Sequence, residues 1–370
     1  MTQSLRSIAL LCLAALAACS GAAESGPIVL GASGPWTEGY GQMNRRGIEL
    51  ALEEVNAARR AEGGGGGDTV VVLFRDDAGS GANAAAIAQE FVADARVTAV
   101  IGHVNSGAMV AAAQVYDGQL AAVATTATSP ALTGISSWTF RVISSDSANG
   151  IRMAQFARTL GRRRAAILYE NNSYGRGLTD AFRRNFDGQI VSMDPIDEGA
   201  QNFEPYVAYY GARQPDLVFV AGTDASGLHF IREARRQGLS ADLLGGDGWT
   251  GLAVDTVNSE GVYVGAPFSS DDPRPEVQAF VSAFRARYNA TPDHNASLAY
   301  DATKLLVHAA ELVGRDRGKV RDYLASLDER SAFAGVSGPI RFGADGDPVG
   351  TGILITRIER GALKVAEGGR

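Results

Sequence analysis

The chain has 370 residues, of which 45% are hydrophobic and 20% are charged, and this composition is typical of a folded globular protein rather than a disordered one. Its formal net charge of −7 argues against a surface that binds nucleic-acid phosphates, and we interpret the short basic clusters Arg162–Arg164 and Arg235–Arg236 as solvated helix ends. Both cysteines, Cys12 and Cys19, lie near the beginning of the chain, which leaves the rest without a thiol for a disulfide, a metal site or catalysis.

The chain begins with a predicted export signal. Arg6 supplies a positive charge, Ile8–Ala15 is apolar, and Leu16–Cys19 has the small residues of a lipobox before a thiol. The apolar stretch is shorter than the about 20 residues that a membrane span needs. We predict a signal peptide over residues 1–18, a lipid on Cys19 and a tether over residues 19–26, with a plain cleaved signal as the alternative. Both readings place the protein in the periplasm or cell envelope, and the first anchors it to a membrane.

From Pro27 onward, β-branched runs alternate with amphipathic stretches, which predicts an α/β fold with mainly parallel sheets covered on both faces. The predicted strands are Ile28–Ala32, Thr69–Phe74, Val97–Gly102, Ala121–Ala124, Ala165–Tyr169, Gln189–Met193, Leu217–Ala221, Asp242–Leu244 and Gly261–Val264. The predicted helices are Asn44–Ala58, Asn83–Asp94, Ser106–Asp117, Ala148–Leu160, Gly177–Asn185, Ser226–Gln237, Glu276–Tyr288 and Ser297–Leu312. The glycine run Gly63–Gly67 is expected to be an exposed loop.

The body of the chain is longer than the about 250 to 300 residues that one core usually holds, so we expect two lobes. In open α/β sheets, ligands bind at the carboxyl ends of the strands. Serine or threonine residues follow several of the predicted strands and begin helices, as at Ser106 and Ser226. Helix N-termini therefore point their amides toward this edge, where they can bind an anionic group.

Known catalytic and metal-binding patterns are missing from the sequence. The histidines His103, His229, His294 and His308 have no spacing that places two ligands on one helical face, and no nucleophile elbow or phosphate-binding P-loop is present. Gly79–Ala84 loosely matches a dinucleotide-binding pattern but is separated from its strand, and we interpret Asp76–Asp77 as a solvated turn. The remaining hydroxyl, aromatic and acidic groups favour binding over catalysis, without a metal or cofactor.

A set of short motifs resembles the leucine/isoleucine/valine-binding proteins of ATP-driven importers. Each motif is weak alone, but their order and spacing from Pro27 to about Ile358 are specific. The motifs are Gly31–Pro35, Val100–Gly107, Ala124–Thr133, Tyr174–Gly177, Gly246–Gly248, Tyr300–Ala302 and Val336–Phe342.

The resemblance implies two Rossmann-like, doubly wound lobes of a type I periplasmic binding protein, which close on a ligand held in the cleft between them. Its three crossovers would fall near Val142, Pro267 and Ile340. Lobe I would then comprise residues 27–141 and 268–340, and lobe II residues 142–267 and 341–366.

The resemblance also implies roles for individual residues. Ser106 and Thr128 would bind the carboxylate of an amino acid, while the Thr126 carbonyl and the Asp247 carboxylate would bind its ammonium group. The aromatic side chains Tyr174 and Tyr40 would close over the ligand from opposite lobes, and the side-chain pocket would be bordered by Val104, Asn105 and Trp36.

These positions have structural alternatives. Ser106 could be only a helix N-cap, Asp247 only a turn residue among glycines, and Tyr40, Tyr174 and Trp36 only packing residues.

The sequence also departs from the family pattern. Thr223 stands where an aromatic is common, Asp247 stands where the family has glutamate, and Gly79 and Asn105 stand where some members have a disulfide. Because Asp224 adds a second acid beside Thr223, the ligand could carry extra hydrogen-bond donors.

The functional expectation is therefore a non-enzymatic solute-binding protein. It would capture an amino acid of the branched-chain type, or a related small amide, and deliver it to ABC permease subunits, with no nucleic-acid partner. A lipoprotein sensor or regulator of the same fold, binding a protein such as a cell-wall synthesis enzyme, is the alternative. Ser20 after the lipobox cysteine gives this alternative some weight, because in enterobacteria-like sorting it does not retain a lipoprotein at the inner membrane.

Overall fold

A computed structural model of the chain describes residues 26–63 and 69–369. The predicted signal peptide, the lipidation site Cys19 and most of the glycine run lie outside these residues. Within the two described ranges, none of the helices combines the length and hydrophobicity that a membrane span requires.

The first sheet is parallel and has the strand order β2-β1-β3-β4-β5. Every residue of the interior strand β1 is buried, as expected of a parallel strand with helices on both faces. The five strands are β1 (Ile28–Gly34), β2 (Val70–Asp76), β3 (Val97–Ile101), β4 (Ala122–Ala124) and β5 (Thr139–Arg141).

The second sheet has the order β14-β13-β10-β9-β8-β6-β7, in which β13 pairs antiparallel with both β10 and β14. A separate two-stranded sheet pairs β11 (Phe333–Gly335) with β12 (Gly338–Ile340). The strands of the second sheet are β6 (Arg164–Glu170), β7 (Gln189–Ile196), β8 (Leu217–Ala221), β9 (Asp242–Gly245), β10 (Tyr263–Ala266), β13 (Leu354–Glu359) and β14 (Ala362–Val365).

Helices connect the parallel strands and cover the sheets. Asparagine and aspartate side chains cap several of them; for example, Asn172 Oδ1 accepts a hydrogen bond from Gly175 N at 2.9 Å. Two 3-10 helices cover Pro130–Leu132 and Asp247–Val254. The helices are α1 (Gly39–Ala61), α2 (Gly81–Ala93), α3 (Ser106–Tyr116), α4 (Asp146–Thr159), α5 (Ser173–Asn185), α6 (Glu204–Arg213), α7 (Asp224–Arg236), α8 (Pro275–Tyr288), α9 (His294–Val313) and α10 (Arg317–Ser326).

The sequence predicted all nine of the strands and all eight of the helices that it named, apart from shifts at their ends. The strand β7 extends three residues beyond its predicted end, to Ile196. The strand β10 begins at Tyr263 rather than Gly261, because Gly261 has a φ of 81° and belongs to the preceding turn. The sequence did not predict the helices α6 and α10 or the strands β5 and β11–β14. It also did not predict the two 3-10 helices. Most of these are short or carry mixed polar residues, so their hydrophobic period is weak.

The chain passes between the two halves of the molecule three times, after β5, after β10 and between β12 and β13. In the last passage, Phe342 still packs against Phe140 of the first half, with ring centroids 5.0 Å apart. Asp347 also accepts two hydrogen bonds from the buried Arg141 guanidinium, both at 2.7 Å. The carboxyl ends of strands from both sheets face a common cleft between the halves.

Candidate ligand-binding site

The cleft contains a cavity of about 90 Å³ lined by residues that follow the strand ends of both sheets. A buried water needs about 10 to 15 Å³ by the same measure, so the cavity has room for about six to nine water-sized groups. That is the size of a small metabolite. Its lining consists of Tyr40, Gly79, Val104, Asn105, Ser106, Gly107, Thr126, Asn172, Tyr174, Glu198, Thr223, Asp224, Asp247, Gly248, Thr250, Gly251, His294 and Asn295.

The N-terminus of α3 forms the wall of the cavity that comes from the first half. Asn105 is the N-cap of this helix, so Ser106 is its first helical residue and not the cap. The Ser106 side chain is buried, and its hydroxyl accepts a hydrogen bond from Ser129 N at 3.1 Å. Next to it, the Thr126 hydroxyl donates to the Val104 carbonyl at 3.2 Å. This wall therefore offers hydroxyl groups and helix amides, which suit an anionic group.

Two predicted contact residues, Thr128 and Trp36, are not among the described residues that line the cavity. Thr128 is fully buried, and its carbonyl accepts a hydrogen bond from Asp146 N at 2.9 Å. Trp36 packs edge to face on Phe74, with ring centroids 5.9 Å apart. Both residues support the site from behind its wall.

Asp247 lies on the opposite wall, at the start of the 3-10 helix that follows β9. Its side chain is buried, and its Oδ1 accepts a hydrogen bond from the Tyr174 hydroxyl at 3.0 Å. His294 Nε2 lies 3.9 Å from Asp247 Oδ2. Burial raises the pKa of the Asp247 carboxyl, and the nearby His294 and the Tyr174 hydroxyl oppose that rise. The cavity therefore has the Asp247 carboxylate, which accepts one side-chain hydrogen bond, on one wall and the N-terminal amides of α3 on the other.

A second buried acid, Asp146, lies near Asp247, and sequence reasoning missed it. It is the first residue of α4, and within the described part of the chain neither of its carboxylate oxygens makes a well-formed hydrogen bond. Burial and the proximity of Asp247 raise the pKa of Asp146 well above its ordinary value. Asp146 lies five residues after the end of the Thr139–Arg141 strand and directly follows the helix N-cap Ser145, so in sequence it has the signature of an ordinary helix start.

The outer end of the cavity is polar and acidic. The Asn105 amide donates to the Tyr40 hydroxyl at 2.9 Å, so both residues belong to one rim. Thr223 is held by the buried Glu170, which accepts from the Thr223 amide at 3.0 Å and from its hydroxyl at 2.8 Å. Asp224 follows at the start of α7.

The other polar residues of the lining are Asn172, Glu198, Thr250, His294 and Asn295, and the sequence analysis singled out none of them as ligand contacts. Thr250 lies within the 3-10 helix Asp247–Val254, and the other four lie on a loop or at a helix start.

The interpretation of Asp76–Asp77 as a solvated turn is wrong for Asp77. Asp76 is exposed, but Asp77 is fully buried and accepts hydrogen bonds from Ser33 Oγ at 3.0 Å and His103 Nδ1 at 2.6 Å. The reason is that Asp77 N bonds the Gly34 carbonyl at 3.2 Å, which holds this residue against the end of β1.

Gly79 and Asn105 are neighbours in space. A Cβ atom added at Gly79 would lie 3.6 Å from Asn105 Cγ. The chain therefore keeps the close approach that the resemblance implies for the two disulfide positions, without the cysteines. Across the described residues, no group of three or more histidine, cysteine, aspartate or glutamate side chains is arranged to hold a metal ion.

The sequence profile described as periplasmic binding protein matches residues 27–362 of the chain. The chain is 28% identical over 348 residues to Leu/Ile/Val-binding protein homolog 2 of Brucella abortus, covering 91% of each protein. Among solved structures, the branched-chain amino acid transporter substrate-binding protein of Streptococcus pneumoniae, in complex with isoleucine, is similar with a TM-score of 0.84 and 26% identity, covering 92% of this chain and 99% of that one. An ABC transporter substrate-binding protein of Desulfitobacterium hafniense, in complex with leucine, gives a TM-score of 0.77 and 28% identity over 92% and 100% of the two chains.

Proposed function

The chain belongs to the periplasmic binding protein family, and we propose that it captures an amino acid in the interlobe cavity and delivers it to an ABC importer. This membership confirms the resemblance identified in the sequence and means that the protein works outside the cytoplasm. The relatives named as amino-acid binding proteins support an amino acid as the ligand class. They give no support to the alternative of a regulator that binds a protein partner.

The polarity of the cavity carries this proposal. A zwitterion that leaves water needs donors for its carboxylate and an acid for its ammonium group, because an unpaired buried charge is very costly. Ser106 and the N-terminus of α3 form one wall, and the buried Asp247 forms the other. Both ends of an α-amino acid therefore have a matching partner in one cavity.

We assign roles within the cavity on this basis. The Ser106 hydroxyl and the Gly107 amide bind the ligand carboxylate, and Asp247 binds the ammonium group with help from the Thr126 carbonyl. Tyr40 and Tyr174, which line the cavity from opposite halves, close over the ligand. These residues bind and orient a solute, and we assign none of them a catalytic step.

Closure and anchoring complete the proposal. Residues 27–141 with 268–340, and 142–267 with 341–366, would move as two lobes about the three crossovers. A lipid on Cys19 and a tether over residues 19–26 would hold the protein at the membrane. Tethering confines a diffusing receptor near its permease and so raises its effective concentration there.

A thermal-shift screen of the purified protein against the common amino acids and small amides tests the ligand class. A ligand at 100 times its dissociation constant should stabilise the protein by about 2.7 kcal/mol. If no amino acid or amide raises the melting temperature, the proposal is wrong.

Asp247→Ala tests the site assignment. Removing one partner of a buried charge pair commonly costs about 2 to 5 kcal/mol of binding free energy, so the variant should lose the ligand-induced shift. Asp180→Ala is the matched control, because Asp180 is a half-exposed acid on α5 that pairs with Arg183 and Arg184. An unchanged affinity in Asp247→Ala would refute the assignment of this residue.

A further inference from the structure

The charges that line the cavity are unbalanced. Three carboxylates, those of Glu198, Asp224 and Asp247, face it, and among the residues that the structure describes no lysine or arginine lines it. His294 also lines the cavity and lies beside Asp247. The ammonium group of one α-amino acid accounts for Asp247. Within the described part of the chain, Glu198 and Asp224 are then left without a positive partner in the cavity lining.

Asp224 is held firmly at the cavity wall. A Cβ atom added at Gly251 would lie only 1.9 Å from Asp224 Oδ2, so the carboxylate packs directly on the 3-10 helix that lines the cavity. Burial, followed by the nearby Asp293, raises the pKa of Asp224 to about 6. Asp224 is also the first residue of α7, where the helix dipole stabilises a negative charge. This stabilisation is smaller than the cost of burying the carboxylate, so the pKa is still raised.

Glu198 lies across the outer end of the cavity in a similarly acidic setting. Its nearest donor is the Asn172 amide, at the long distance of 3.5 Å. Burial and the charge of Glu170 raise the pKa of the Glu198 carboxyl, and Glu38 adds to the effect from the first half. An aliphatic ligand side chain would displace water from the partly buried Asp224 and would give neither Asp224 nor the more exposed Glu198 a charged partner.

The structure also leaves room for a long side chain. A second cavity of about 680 Å³ adjoins the first, and the two share the lining residues Tyr40, Asp224, Thr250 and Gly251. Asp224 therefore stands where the ligand cavity opens into a larger space. This space is large enough for a side chain longer than that of leucine.

We propose that the side-chain end of the cavity selects a ligand with a second cationic group, as in a basic amino acid, through Asp224 and Glu198. This inference rests on the proposed function, since it assigns the other end of the same ligand to Ser106 and Asp247. The proposed ligand differs from the aliphatic amino acids in the name of the relative Leu/Ile/Val-binding protein homolog 2.

Calorimetric titration of the purified protein at pH 8 with lysine, ornithine, arginine, leucine, isoleucine and norleucine tests the proposal. Norleucine has the linear side chain of lysine without its terminal charge. The best basic amino acid should bind about tenfold or more tightly than norleucine, because the charge pair is desolvated. Leucine or norleucine binding as tightly as every basic amino acid overturns the inference and leaves the proposed function standing. Binding of no amino acid overturns the proposed function itself, and the inference with it.

Variants identify the residues that give the preference. Asp224→Asn with Glu198→Gln keeps the shape of both side chains and should reduce the preference for the basic amino acid by about tenfold or more. Glu198→Gln alone changes an exposed residue, so it keeps the fold and should show a smaller reduction. Glu329→Gln, an exposed acid outside both cavities, is the control and should bind as the unaltered protein does. A preference that survives the double variant overturns the inference.

Discussion

Buried acids lie at the strand ends of both sheets, but the two halves of the molecule pair them differently. In the first half, Asp77 is bonded to Ser33 and His103, and His103 Nε2 lies 3.0 Å from the Tyr116 hydroxyl. In the second half, Asp247 has a single side-chain hydrogen bond, from Tyr174, and Asp146 has none of good geometry among the described residues. A fully bonded network stabilises a fold, whereas an incompletely paired acid is suited to bind a cation.

The largest expected effect concerns the stability of the network around Asp77. Asp77→Ala should lower the free energy of unfolding by about 3 kcal/mol or more, because it leaves the buried His103 and Ser33 without their shared acceptor. Urea unfolding of the ligand-free protein measures this loss. Asp76→Ala, at the exposed neighbouring position, should cost less than about 1 kcal/mol. Equal losses in the two variants would show that the buried network does not stabilise the first half.

A smaller effect, of opposite sign, is expected at Asp224. Its pKa is raised to about 6 in the folded protein, so the folded state binds more protons than the unfolded state between about pH 4 and 6. The contribution of this group is therefore fully present below about pH 4 and is lost as the pH rises through about 6. Asp224→Asn should be the more stable protein at pH 8, by about 2 kcal/mol, and lose this advantage at pH 4.

Urea unfolding of both proteins without ligand at pH 4 and pH 8 measures this difference. Because the two proteins share all other titratable groups, the contributions of those groups cancel in the comparison. The acids Asp293 and Glu38 contribute to the raised pKa of Asp224, and His294 shares its cavity, so these residues are left unchanged in the comparison. Asp180→Asn is the control, because its arginine partners lower the pKa of Asp180. An Asp224→Asn variant that is less stable than the unaltered protein at pH 8 would contradict the prediction.

The smallest effect is expected at the rim of the cavity. Tyr40→Phe removes the hydroxyl that accepts from the Asn105 amide at 2.9 Å, and the affinity for the amino acid should fall by about fivefold, or about 1 kcal/mol. Titration calorimetry measures the change. Tyr209→Phe, at an exposed tyrosine on α6, should leave the affinity unaltered. If both variants bind alike, the rim contact does not position Asn105 for the ligand.

The elements with a strong hydrophobic pattern were predictable. β1 and β3 are buried at every residue, and α1 places Ile48 and Ala51 on its buried face, so their apolar residues follow a clear period. The hairpin β13–β14 was missed because it mixes apolar residues with Arg357, Glu359 and Lys364 in a short antiparallel pair.

Sequence reasoning named residues that belong to recognisable motifs, and the structure places nine of the eleven predicted contact residues in the cavity lining. Their contacts with a ligand stay a prediction. Sequence reasoning missed Asp146, Glu198 and His294, because each has the sequence context of an ordinary loop or helix start. It also misread Asp77, whose burial depends on the end of β1, more than forty residues earlier in the chain.

The sequence by itself determined the alternating α/β architecture, the family resemblance and the residue types at the strand ends, because periodicity and motif order are local properties of the chain. Only the tertiary structure decided which acids have partners. Asp77 is hydrogen-bonded by distant segments of the chain. Asp224 and Asp247 line one cavity from two different strand ends, and Asp146 is buried near Asp247. Pairing between charges depends on distance in space, and that distance is set by the packing of the two sheets.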